Sequence, residues 1–128
     1  MLSGFKKMNI GNTGFAYMSI TDAGITFNRA AVEGMGCPEY VFVLENQKDR
    51  QFAIQIAKKG EPGAITFYRP KRSNLISVRW NNQSLIATLR KMMIPDLQQA
   101  HTRINGRYIE EEGAMIFNML EAYRADKG

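Results

Sequence analysis

One cysteine, one histidine and one tryptophan are all that this chain of 128 residues holds of those types. A single cysteine excludes an internal disulfide framework and suits a reducing compartment. The sole histidine, His101, excludes metal centres built on two or more imidazoles. No apolar run approaches the ~20 residues that cross a bilayer, so no membrane partner is expected. Met1-Leu2-Ser3-Gly4-Phe5-Lys6-Lys7 lacks the apolar core of a secretory signal, which makes the cytoplasm the expected location.

Catalytic patterns are equally scarce. Cys37 falls just past a helical pattern, where the dipole disfavours a thiolate. Gly11 and Gly14 precede an aromatic strand rather than a helix, so they do not form a phosphate loop. Glu110, Glu111 and Glu112 read as solvated carboxylates of a turn rather than ligands of a hard cation. The expectation is a non-enzymatic protein with no catalytic residue, cofactor or metal.

A 45% apolar and 10% aromatic composition is that of a folded chain, and the length suits one domain over residues 1–128. Charge is unevenly spread. Between Lys58 and Arg107 stand ten basic residues against only Glu61 and Asp96, a net of +8; the remainder carries −3, giving +5 overall. A basic middle between acidic ends favours a surface attractive to phosphates.

Along the chain, Phe15 to Ile20 and Ile25 to Phe27 have strand character. Asn28 is an N-cap for a short helix carrying Ala31, Val32 and Met35, which Gly36 and Pro38 end. Tyr40 to Leu44, apolar throughout, reads as a strand buried on both faces. Glu45 to Arg50 is a turn, Phe52 to Ile56 the partner strand, and Ala64 to Tyr68 a further strand stopped by Pro70. Lys71 to Asn74 is the best linker. Ile76 to Trp80 then alternates as a strand. Asn81 or Asn82 caps a helix with the stripe Leu85, Ile86, Leu89, Met92 and Met93, ended by Pro95. Thr102 to Tyr108 is a strand weakened by Gly106. The tail reads in two ways: a hairpin turn at Glu110 to Gly113 before a strand from Ala114 to Met119, or one helix from Glu111 to Arg124. The hairpin completes a repeat.

That repeat is the main organising feature. Residues 15–57 and 76–120 each run strand, helix, hairpin, joined by a strand and basic linker over 58–75. A unit of this kind cannot bury both its faces alone, so two copies are expected to pack on each other. The fold class is α+β, with short antiparallel strands and two small helices. Phe27 and Trp80 lead into the helix caps and read as core anchors, with base stacking the alternative role for either.

From Asp22 to Gly36, Asp-Ala-Gly-Ile-Thr-Phe-Asn-Arg-Ala-Ala-Val-Glu-Gly-Met-Gly, the chain resembles the AbrB-type swapped-hairpin family of DNA-binding regulators. Val41 to Ile56 resembles that family's hairpin. Two units in one chain resemble the tandem arrangement of the MraZ branch, which implies a swapped-hairpin-like barrel closed within one chain. The sequence departs from the family where Asn28 replaces a usual proline and Ile25 a frequent basic residue, and it lacks the Asp-x-x-x-Arg motif of the MraZ-like units. Only Arg29 lies in the matching stretch as a phosphate contact. Charge alone nominates Lys58, Lys59, Arg69, Lys71, Arg72, Arg79, Arg103 and Arg107. The expected activity is nucleic-acid binding, as a DNA-binding transcriptional regulator. The alternative is a protein-interaction module that recognises an acidic partner or self-associates as a homodimer.

Overall fold

A computed structural model describes residues 15–70 and 76–125. The first unit contains β1 (Tyr17–Thr21), β2 (Gly24–Phe27), α1 (Arg29–Gly34), β3 (Tyr40–Asn46) and β4 (Gln51–Ala57). A two-residue strand, β5 (Ile65–Thr66), follows. The second unit contains β6 (Val78–Trp80), α2 (Gln83–Lys91), β7 (Thr102–Ile109) and β8 (Ala114–Asn118), and β9 (Tyr123–Arg124) ends the described chain. All strand pairs are antiparallel. They form one curled, half-barrel sheet in the order β5, β3, β4, β8, β7, β1, β2, β6, with β9 beside β7.

Three of these pairings cross between the units: β4 joins β8, with Ala53 opposite Ile116, β2 joins β6, with Thr26 opposite Arg79, and β1 joins β7, with Ser19 opposite Arg103. Strand alternation explains the burial that follows. Met18 and Ile20 of β1, Ile25 and Phe27 of β2 and Phe52 and Ile54 of β4 point inward and are fully covered or nearly so. Phe27 sits at the junction. Its ring centre lies 5.0 Å from Trp80, 5.2 Å from Phe67 and 5.8 Å from Phe117, so its contacts come from both units. Each such fully buried side chain is worth ~1.5–3 kcal/mol relative to exposure, which makes this cluster a principal tie between the halves.

The helices start where their caps dictate. The Asn28 Oδ1 accepts from the Ala31 amide at 3.0 Å and from the Tyr17 amide at 2.9 Å, while its Nδ2 donates to the Phe15 carbonyl at 2.9 Å. One amide therefore caps α1 and continues the β1 ladder past its last backbone pair. A proline in place of Asn28 has no such side chain and could make none of these three bonds. For α2 the cap is Asn82, not Asn81; its Oδ1 accepts from the Leu85 amide at 3.0 Å. Ile86 and Leu89 face inward, and Met92 and Met93 remain buried although α2 has already ended at Lys91. Pro95 opens a single 3₁₀ turn and does not itself end α2, as the spacing suggested.

Several expected boundaries shift. β3 is not buried on both faces: Val41 is covered, but Leu44 is 42% exposed, because no described element covers the outer side of the sheet there. The same strand runs on through Glu45 and Asn46, so the hairpin turn is confined to residues 47–50. Only Ile65 and Thr66 of the expected 64–68 strand pair with β3 as a strand. The linker Lys71 to Asn74 lies outside the described residues. In the tail the hairpin is the structure adopted and the helix is not. Glu110–Glu112 makes one 3₁₀ turn, Gly113 takes a left-handed φ of 60°, and β8 returns along β7.

Candidate nucleic-acid interface

Strand alternation that buries one set of side chains exposes the other. On the outer face the pairings place Arg79, Thr26, Ser19, Arg103 and Tyr123 opposite one another in turn, on β6, β2, β1, β7 and β9. This is a single row running across the sheet. Its two arginines are separated by three strand spacings, about 14 Å of backbone. Arg107 lies on the same face of β7 as Arg103, about 13 Å along the strand. The four strands β6, β2, β1 and β7 contain these three arginines and no acidic residue.

Each arginine is held differently. Arg79 is exposed, between buried Val78 and half-buried Trp80, as the alternation predicts. Its side chain lies over Gly24: a Cβ built there would stand 3.2 Å from the Arg79 Nε and 2.7 Å from the Trp80 carbonyl oxygen. The bare glycine thus lets both the neighbouring strand and the guanidinium approach. Arg103 lies across the Tyr17 ring, 4.5 Å from its centre, with a buried Nε that has no hydrogen-bond partner among the described residues. Stacking fixes its plane and leaves its terminal nitrogens without a hydrogen bond among the described residues. Arg107 is exposed opposite Ile116.

The other nominated cations do not join this row. Arg29 belongs to α1 and pairs with Glu33 at 3.0 Å, one helical turn on. Lys58 and Lys59 lie in the exposed loop after β4, and Arg69 is exposed beyond β5. Lys71 and Arg72 lie outside the described residues. Arg90, counted in the basic middle, is committed internally; it meets Asp22 at 2.8 Å and donates to the Ala100 carbonyl at 3.3 Å. Sequence reasoning missed Tyr17, Ser19 and Thr26. The polar alternation of β1 and β2 signals that those residues face outward, but only the pairing of β1 with β7 and of β2 with β6 sets them between arginines.

Beside the row the sheet does not close. β5 and β6 are the end strands of the hydrogen-bonded path, and both line a cleft of about 510 Å³ with the start of α2. No three of the His, Cys, Asp and Glu residues described cluster as a metal site would require. His101 is exposed, and the Cys37 thiol is pushed above its usual range, first by burial and then by the Glu33 carboxylate, with Arg29 opposing. No described helix is long and apolar enough to cross a membrane. No family model, curated protein or solved structure matches the chain.

Proposed function

We propose that the chain is a non-enzymatic nucleic-acid-binding module, with the outer faces of β6, β2, β1 and β7 lying against the phosphate backbone of DNA. The observation that carries this reading is the acid-free row that sets Arg79 and Arg103 either side of Thr26 and Ser19. Guanidinium groups suit phosphate oxygens in a forked geometry, and the hydroxyls between them add neutral donors to the same backbone. The four strands offer no carboxylate to repel it. The family resemblance agrees in kind, and the cross-unit pairings β1 with β7, β2 with β6 and β4 with β8 favour a swapped-hairpin-like, tandem arrangement. In such an arrangement each unit's hairpin and first strand find partners in the other unit. Regulation of transcription in the cytoplasm is the role that would follow.

The test is a mobility-shift titration with duplex DNA at two salt concentrations. If the three arginines each neutralise one phosphate, affinity falls roughly 40-fold between about 50 and 200 mM salt. Arg79→Glu and Arg107→Glu each weaken binding further and flatten that dependence. Absence of any binding at low salt sinks the reading, because non-specific affinity is greatest there.

A second reading rests on the outward row that ends at Arg107. Leu44, Ala53 and Ile116 face outward in register with Arg107 next on β7, and Leu44 is 42% exposed. This apolar row favours self-association with a second copy of the chain. Sedimentation that shows a concentration-dependent dimer insensitive to salt, and lost in Leu44→Lys, supports it; a monomer at all concentrations removes it.

A further inference from the structure

The cleft where β5 and β6 fail to meet has walls of a particular chemistry. Its volume, about 510 Å³, falls within the range of small-ligand pockets. Arg79 belongs both to this cleft and to the outer arginine row, so the two features are continuous. Trp80 presents a flank to the cleft while its ring packs near-perpendicular to Phe27 and Phe67, which holds the indole in place. Asn81 is exposed, and its amide has no hydrogen-bond partner among the described residues. Asn82 spends its Oδ1 on the Leu85 amide, and neither its NH2 group nor the Thr66 hydroxyl has a hydrogen-bond partner among the described residues.

A carboxamide sets a donor beside an acceptor, the pattern displayed by the edge of an unpaired nucleobase. An immobilised indole flank supplies a stacking surface for the base plane, and a guanidinium supplies a phosphate partner. Bases within a duplex are stacked and paired, so neither their planes nor those edges reach a cleft of this kind. We propose that the β5/β6 cleft takes one unpaired nucleotide, its base against Trp80 and Asn81 and its phosphate on Arg79. The inference deepens the nucleic-acid reading and rests on it: a strand tracking the arginine row delivers its nucleotide to the cleft at Arg79. A free mononucleotide shares this chemistry and is separated by the test.

Trp80 is the one tryptophan of the chain, so its emission comes from the wall of the cleft without a second tryptophan contributing. Three probes are titrated at low salt: a short oligothymidylate, a blunt duplex and thymidine monophosphate. Binding of the first two is read by the anisotropy of an attached dye, and the cleft by tryptophan emission. The oligothymidylate is expected to quench Trp80, and Asn81→Ala to weaken it about tenfold while leaving duplex affinity unchanged. Arg107→Gln, remote from the cleft, weakens both nucleic acids and leaves any quenching by the monophosphate intact. Oligothymidylate binding without a change in emission, or without effect of Asn81→Ala, overturns the cleft assignment while nucleic-acid binding stands. If neither nucleic acid binds at low salt, the wider reading fails instead. Quenching by the monophosphate then retains the cleft as a nucleotide site, and its absence ends both.

Discussion

The guanidinium carbon of Arg103 stands 4.5 Å from the centre of the Tyr17 ring, across the β1/β7 pair on the outer face of the sheet. The contact does two things. It covers part of an aromatic ring that the sheet exposes, and it orients a cation whose buried Nε has no partner among the described residues. A cation over a ring at a partly exposed site is worth about 0.5–1 kcal/mol. Tyr17→Leu is therefore predicted to lower stability by that amount in a denaturant titration. Tyr17→Phe should be neutral, because the Tyr17 hydroxyl has no hydrogen-bond partner among the described residues and phenylalanine keeps the ring. Equal losses in the two variants would show that the ring face is not what matters.

Arg90 and Asp22 make a less symmetrical pair. The arginine side chain is only 13% exposed and the aspartate 91%, although their atoms meet at 2.8 Å. Solvent screens the carboxylate, so Asp22→Asn is expected to cost less than about 1 kcal/mol. Arg90→Met should cost no more, since it also removes a buried Nε that lacks a partner. Arg90→Ala loses the packed stem of the side chain and is predicted to cost about 1–2 kcal/mol more. Thermal unfolding of the three variants ranks them. An Asp22→Asn loss as large as that of Arg90→Ala would mean that the ion pair, and not the packing, holds α2 to the β1/β2 turn.

Much of this organisation was legible before the fold. Asn28 and Gly36 mark the ends of α1 because capping and left-handed turns have strong local preferences. The hairpin at Gly113 was legible for the same reason. What local chemistry does not encode is partnership between distant strands. Tyr40 to Leu44 is apolar throughout, yet its outer face stays open, because sequence cannot say that no layer will cover it. The site divides the same way. Arg79, Arg103 and Arg107 were nominated by charge alone, and their shared outward direction comes from the strand pairings. That Ser19 and Thr26 stand between them follows from registers that join residues more than fifty positions apart.

Two glycines test how tightly those registers are built. A Cβ on Gly106 would stand 2.7 Å from the Met115 Sδ and 2.7 Å from the Phe117 Cε2, both side-chain atoms across the β7/β8 pair. One on Gly24 would stand 2.7 Å from the Trp80 carbonyl oxygen, which belongs to the backbone of the neighbouring strand. Met115 can yield by changing rotamer and the buried Phe117 ring only by repacking; a paired backbone cannot move without its strand. Both alanine substitutions are predicted to destabilise by about 1–3 kcal/mol, with Gly24→Ala the worse. Gly24→Ala should also displace Arg79 and weaken nucleic-acid binding, whereas Gly106→Ala should change stability alone. The reverse order in denaturant titrations would indicate that β6 slides more readily than Met115 repacks.

Cys37 offers a prediction in pH. Its thiol pKa is raised mainly by burial and secondarily by the Glu33 carboxylate, while the Arg29 guanidinium acts in the opposite sense. A thiol whose folded pKa exceeds its unfolded value contributes stability that is fully present below the unfolded pKa. That contribution is lost as pH rises through the folded pKa. The thiolate is the reactive form, so alkylation of the folded protein should begin at higher pH than alkylation of a free thiol. Glu33→Gln removes a raising charge and should move the onset down, though not to the free-thiol position, because burial persists. Arg29→Gln should move it up. Rates of reaction with iodoacetamide across the alkaline range order the three proteins. An onset in the parent protein at the free-thiol pH would show that Cys37 is more open to solvent than its packing beside α1 implies.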